Sequence, residues 1–412
     1  MPGKRVAGRR VAGRESHGHG HGHSHTHSVG SARHQGRPAL ILLALLGVVA
    51  AAAVAGIVAM WPSHSAVEQL RGSETLIATN STFVSATVDT LTSKGATVTL
   101  TSGPEKSQRT SVDLPPPVIE SGIGHGTELK LTRTEPGSGA PVYAFFGVER
   151  GTSLWILVAV FVVVLLLIGG LRGLMALAGL LVSGLAIWYF LLPALLTGHN
   201  APLVAMCGAT VILIVVLYTT HGFRAPTTAA LAGTILGAAV TVAIGQIAIS
   251  GSHLTGVTGD EGGILSTSAP HLDFQEVLVA ATLVAALGVL NDVTITQSSA
   301  VWELRSAAPE MSRLQLWRSA MRIGRDHIAS TVYTIVFAYV GAALMVLMVL
   351  ELFDQTWVGF MGTEPLVEEV VRTLVGSIGL VLAVPITTVF AVLVAQPAPA
   401  DEAELVAEAA RP

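Results

Sequence analysis

The chain has little charge and almost no sulfur chemistry. Only 12% of its 412 residues are charged, about half of the roughly 25% usual in globular proteins. The single cysteine, Cys207, excludes an intrachain disulfide, so any domain outside a membrane must be stable without cross-links. No GxSxG, HExxH, CxxC or phosphate-loop pattern is present. That removes the sequence signatures of nucleophilic hydrolysis, zinc proteolysis and nucleotide binding, and the expectation is a non-enzyme with no cofactor. A net charge of −4 points to no particular partner, because the charges are segregated along the chain. Nothing favours nucleic acid.

What the chain has is apolar sequence. Hydrophobic residues make up 51% of it, in several runs that approach or exceed 18 residues, the signature of a polytopic membrane protein. Residues 1–38 form a polar, basic tail expected to be disordered. Within it His17, His19, His21, His23, His25 and His27 alternate with other residues. Imidazoles at that density can bind Zn or Ni loosely, although fortuitous chelation by a low-complexity tail is preferred. Residues 39–61 read as an uncleaved anchor, longer than the 7–15 apolar residues of a signal peptide.

Residues 62–152 alternate as strands do, at Phe83–Leu91, Ala96–Thr101, Arg109–Leu114, Glu128–Arg133 and Val142–Val148. They predict a small extracytoplasmic all-β domain, with an OB-like barrel among the candidates. Residues 153–395 predict seven further membrane helices: 154–168, 175–196, 202–220, 227–250, a sixth helix within 276–303, 327–352 and 370–395, the last kinked or broken at Pro385. Gly233, Gly237, Thr241 and Gly245 recur every four residues, a stripe that lets another helix approach closely. With the tail inside, eight crossings place Arg172, Arg224 and the arginine-rich stretch 304–326 inside, as the positive-inside rule requires. Both termini, including 396–412, then lie in the cytoplasm of a plasma-membrane protein.

The stretch 276–303 organises the rest. From Val277 to Leu290 it has fourteen residues whose one polar side chain is Thr282. These rise only about 21 Å, short of a hydrocarbon core of roughly 30 Å. The helix must therefore take Asn291, Asp292, Thr294, Thr296 and Gln297 into or against the bilayer. Gly288, Asp292, Thr296 and Ser299 share one face. An intramembrane carboxylate normally faces other helices or water, so these residues are candidates for an ion or solute path. The competing reading has Asp292 snorkelling to the inner interface or pairing with an arginine of 304–326. Asp326 and His327 stand at the expected start of the seventh helix, with Thr331 and Thr334 further in. Asp326 is read first as a helix N-cap; a cavity mouth shared by Asp292, Asp326 and His327, able to relay protons or bind a divalent cation, is the sharper alternative. The outer acids Asp260, Glu261, Asp273, Glu276, Glu364, Glu368 and Glu369 are read as ordinary outer-loop residues.

Two long motifs, GlyValLeuAsnAspValThrIleThrGlnSerSerAlaValTrpGluLeu (288–304) and GlyArgAspHisIleAlaSerThrValTyrThrIleValPheAlaTyrValGlyAla (324–342), resemble the YibE/F-like family of bacterial membrane proteins over roughly residues 60–395. The resemblance implies an integral plasma-membrane protein of a Gram-positive-type bacterium. The Ala/Val/Gly-rich composition fits an actinobacterium. It supplies no catalytic residues. The leading expectation is a transporter of an ion or small solute, with proton coupling as one form, along the sixth and seventh helices. The alternative is a non-transporting envelope-assembly or interaction protein acting through the β-domain. The lipid bilayer and a homo-oligomer or membrane partner are the expected associates.

Overall fold

The computed structural model describes residues 36–63, 65–68, 80–136, 139–353, 359 and 362–396. The six tail histidines His17 to His27 and residues 397–412 lie outside the described residues.

The first helix is α1 (Arg37–Ala59). Five strands follow: β1 (Ser81–Leu91), β2 (Gly95–Leu100), β3 (Arg109–Asp113), β4 (Glu128–Thr134) and β5 (Val142–Val148), with the short helix α2 (Pro116–Glu120) between β3 and β4. Each strand lies within two residues of its expected position. All pairings are antiparallel, and the order is β3-β2-β1-β4-β5. The sheet curls until the edge strands β3 and β5 approach each other. The alternation that marks these strands in the sequence also fills the curl. Val84, Ala86, Val88, Val98, Leu100, Val112, Leu129 and Leu131 all point inward and are buried. At Gly95 a Cβ would stand 2.3 Å from the Val112 carbonyl oxygen, so only glycine lets β2 and β3 close there.

The rest is helical: α3 (Gly151–Ala186), a π-helical turn (Ile187–Leu191), α4 (Leu192–Leu196), α5 (Ala201–His221), α6 (Ala225–Gly251), α7 (Gly259–Ser268), α8 (Phe274–Ala307), α9 (Arg313–Ala342), α10 (Leu344–Leu352) and α11 (Glu364–Val394). Among the described residues six helices are long and apolar enough to cross a membrane, or seven if α9 and α10, bent by 60°, form one span. In that count Gly151–Leu196 is a single stretch of 46 residues. Gly170 interrupts it with φ 54° and ψ −134°, a conformation that L side chains avoid.

The centre of the bundle is α6, α8 and α11, each packed on the other two; α9 adds to α8 and α11, and α5 to α8, α1 and α3. The four-residue stripe on α6 is the seam to α11. A Cβ at Gly233 would lie 2.0 Å from Thr387 Oγ1, one at Gly237 3.0 Å from the Ala383 Cβ, and one at Gly379 2.0 Å from Thr241 Oγ1.

Three expectations need correction. The stretch 304–326 is not a loop, because α8 runs to Ala307 and α9 begins at Arg313. Asp326 is not an N-cap, because it lies well inside α9. That helix is capped by Ser312 and Gln315, each side chain bonding the other's backbone N–H in a capping box. And α11 is not broken at Pro385, because the helix runs from Glu364 to Val394 with that proline inside it. The loop 251–275 also contains α7, which its Gly- and Ser-rich sequence did not announce.

Candidate functional site

Polar residues surround α8 on every side along its C-terminal half, and the structure sorts them. Thr294, Gln297 and Ser298 are buried, while Asp292, Thr296 and Ser299 are exposed on the outer face of the bundle. Thr296 Oγ1 donates 2.8 Å to the Asp292 carbonyl oxygen, an intrahelical bond with no tertiary partner.

The buried set ties four helices together. Thr294 and Thr234 of α6 share a 2.5 Å hydroxyl contact. Gln297 Nε2 donates to the Ala320 carbonyl of α9 at 3.1 Å and to Thr388 Oγ1 of α11 at 2.7 Å. Ser298 Oγ donates 2.7 Å to the Pro226 carbonyl at the start of α6. Interhelical bonds of this kind stabilise membrane bundles by roughly 0.6–2 kcal/mol each. Thr234, Thr387 and Thr388 were not singled out from the sequence. The Thr387–Thr388 pair inside the otherwise apolar stretch Ile378–Val394 was the available signal.

On α9, Thr331 is buried and bonds the His327 carbonyl at 2.9 Å; Thr334 is exposed and bonds that of Ser330 at 3.2 Å. Asp326 is exposed. His327 is half-buried, and its Nε2 is shielded from solvent without a hydrogen-bond partner; the same holds for Asn291 Oδ1, Ser377 Oγ and Thr387 Oγ1. Gln297 contacts both Ala320 and Gly324, which sets the register of the antiparallel pair α8–α9. On that register Asn291 and His327 lie at the same depth to within about 2 Å. Asn291, Thr294, Gln297, His327 and Thr331 therefore share the interior region of α8 and α9, whereas Asp292, Thr296, Asp326 and Thr334 face outward. Among the described residues no group of three His, Cys, Asp or Glu side chains is placed to hold a metal ion, so Asp292, Asp326 and His327 form no such cluster. An apolar cavity of about 30 Å³ lies elsewhere, between the π-helical turn, α5 and α8 near Gly208 and Leu287. It has room for about one water.

At the opposite end of the bundle, near the start of α8 and of α11, the acids are engaged in structure. Glu276 accepts from Asn200 Nδ2 at 2.8 Å and from the Ala201 backbone N–H at 3.2 Å. Glu364 accepts from the Thr255 hydroxyl at 2.6 Å and from the backbone N–H groups of Thr255 and Gly256. Glu368 accepts from Thr258 Oγ1 at 2.7 Å and from Arg372 at 2.5 Å, and Glu369 accepts from Arg372 at 3.0 Å. The Glu364 and Glu368 bonds to Thr255, Gly256 and Thr258 clasp the loop after α6 to the first turns of α11. Arg372 was overlooked in the sequence, although its i−4 and i−3 spacing to Glu368 and Glu369 marks a helical ion-pair set. In the sheet, Arg133 of β4 is buried. Its Nε and Nη2 donate to Glu105 at 2.6 and 2.5 Å, its Nη1 donates to Glu135 at 2.6 Å, and the Tyr143 hydroxyl donates to Glu105 at 3.0 Å.

A comparison with protein families matches residues 157–397 to the family described as YibE/F-like protein. The match covers the helical bundle and stops short of the anchor and the sheet, a narrower span than the motifs suggested. No curated protein and no solved structure matches the chain.

Proposed function

We propose, for a chain that belongs to the YibE/F-like family, transport of an ion or small solute along the interior seam of α8 and α9, with α11 beside it. The observation that carries this reading is the pair of unpartnered polar atoms, Asn291 Oδ1 and His327 Nε2, at one depth on two packed helices. A buried polar atom without a partner costs about 1–3 kcal/mol, and such groups call for an explanation such as a water, an ion or a functional role. Thr294, Gln297 and Thr331 would line the same route. On this reading α8 and α9 are packed directly against each other at Gln297, Ala320 and Gly324, and passage requires α9 to shift against α8. The accompanying topology is eight crossings, with Gly151–Leu196 folded into two spans at Gly170, α9 and α10 forming one, and both termini in the cytoplasm of a plasma membrane.

The test is flux of H⁺, Na⁺, K⁺, Mg²⁺ and Zn²⁺ into proteoliposomes carrying the full chain. Asn291→Leu and His327→Leu are expected to reduce flux at least tenfold, while Phe337→Leu on the exposed face of α9 serves as the control. Equal flux in all four proteins would sink the path. Silence of the folded wild type towards every cation would move the weight to the second reading, envelope assembly through the β-domain. One feature favours that reading: on the outer face of the sheet, Phe83 and Phe146 are exposed, pack edge to face at 4.7 Å, and have the Lys130 ammonium 4.8 Å from the Phe83 ring. The curled sheet with β3 near β5 suits an OB-like barrel, whose aromatic faces commonly bind ligands.

A further inference from the structure

Beyond the interior seam, we infer that the outer faces of α8 and α9 form the interface with a second copy of this chain. Ala281, Ala285, Gly288, Asp292, Thr296, Ser299 and Glu303 recur at helical spacing on one side of α8, and none of them is buried. Four of the seven carry polar side chains, two of them carboxylates. A membrane helix does not normally turn ionisable side chains to lipid, and among the described residues nothing covers these two. Among the described residues neither Asp292 nor Glu303 has an ion-pair partner.

The complementary charge lies on the next helix. Arg318, Arg322 and Arg325 are exposed on α9 and equally without ion-pair partners, with Asp326 the one acid among them. The contact of Gln297 with Ala320 and Gly324 places Asp292 within about 3 Å of the depth of Arg325, and Glu303 within about 3 Å of the depth of Arg318. A two-fold axis along the membrane normal preserves depth. It would set α8 of one copy against α9 of the other, with acid facing base at both levels. Each interface is then used twice, as an isologous contact requires. The four helices alternate in direction, so every neighbour is antiparallel. Alanine and glycine at 281, 285 and 288 let the outer halves approach. This occupant follows from the opposite charges of the two exposed faces and their matched depths.

The experiment uses the full chain in liposomes at high lipid dilution, in a Cys207→Ala background, with subunits counted by single-molecule photobleaching. Wild type is expected to bleach in two steps. Asp292→Arg and Arg325→Asp should each lower the two-step fraction at least fivefold, and the double exchange should restore it to within twofold of wild type. Because either reversal could impair insertion, a second measurement uses two differently tagged chains, Thr296→Cys in one and Arg322→Cys in the other. Oxidation should yield mixed-tag dimers only when both cysteines are present. One-step bleaching of the wild type, or failure of the mixed cross-link in inserted protein, would overturn the interface. So would cross-linking solely to a different protein in native membranes. None of these readouts depends on flux, so transport and assembly fail separately.

Discussion

Arg133 occupies a position on β4 that the strand period turns inward, in line with Leu129 and Leu131. Burying a guanidinium is costly unless its donors are met. Here Glu105 and Glu135 meet them, and Glu105 comes from the loop between β2 and β3, so the pair closes that loop onto β4 and β5. The hydrogen bonds from Arg133 pull the Glu105 carboxyl from its ordinary 4.5 down to about 2, outweighing the burial that opposes them. The same contacts raise the Arg133 pKa, so the arginine stays charged throughout. A carboxylate whose folded pKa is depressed contributes stability that is complete above its unfolded value and lost as pH falls through the folded one. The sheet should therefore weaken between about pH 4.5 and pH 2. In Glu105→Gln it should be less stable at neutral pH and should lose most of its acid dependence in that window. Thermal unfolding of the β-sheet signal in the intact, detergent-solubilised chain reads both effects. An unchanged pH profile in the variant would show that Glu105 is not the titrating group.

At the scale of elements, the seam between α6 and α11 is set by glycines on both sides. Introducing a methyl group at Gly233 brings it against Thr387 Oγ1 and, at 3.0 Å, the Thr387 Cα. Because backbone is involved, the helices must separate, and overpacking of this kind costs about 1–3 kcal/mol. Gly233→Ala should lower resistance to SDS-induced unfolding by that amount, and Thr387→Gly should recover most of it in the double variant. Additive losses would mean that the two positions do not meet. This seam was legible in the sequence because small residues every four positions admit one packing, and the strands were legible because alternation fixes which side faces in. The orientation of α8 was not legible. Asn291, Asp292, Thr294, Thr296, Gln297 and Ser298 occupy every direction around the helix axis, so periodicity cannot say which of them face inward. The structure turns Thr294, Gln297 and Ser298 in and Asp292 and Thr296 out. Arg133–Glu105 left no local trace, its partners being 28 residues apart. The start of α9 was misplaced because its first turns are basic and polar, whereas the Ser312–Gln315 capping box marks the true start.

For the whole molecule, the topology turns on Gly170. The 46 residues of Gly151–Leu196 would rise about 69 Å as one helix, more than twice a hydrocarbon core of roughly 30 Å. In a straight helix, residues eight apart are about 12 Å apart, yet the Leu165 carbonyl oxygen lies 2.5 Å from where a Cβ of Gly173 would stand. The chain therefore turns sharply at Gly170, and the prediction is two spans of ordinary length in place of one of impossible length. The alternatives differ in which side each later loop occupies. With two spans, the loop at Thr197–His199 lies on the same side as the β-domain, and the α8–α9 turn at 308–312 lies opposite. With one span those assignments reverse, and Arg305, Arg313, Arg318, Arg322 and Arg325 move to the outer side against the positive-inside preference. Single cysteines at Ser102, Arg172, His199 and Ala308 in the Cys207→Ala background, probed with a membrane-impermeant maleimide on intact cells, separate the two. Labelling at 102 and 199 but not at 172 or 308 is the expected outcome. Labelling at 308 with protection at 199 would mean that the doubled-back segment does not cross twice, and it would place the arginines of α9 outside the cytoplasmic face.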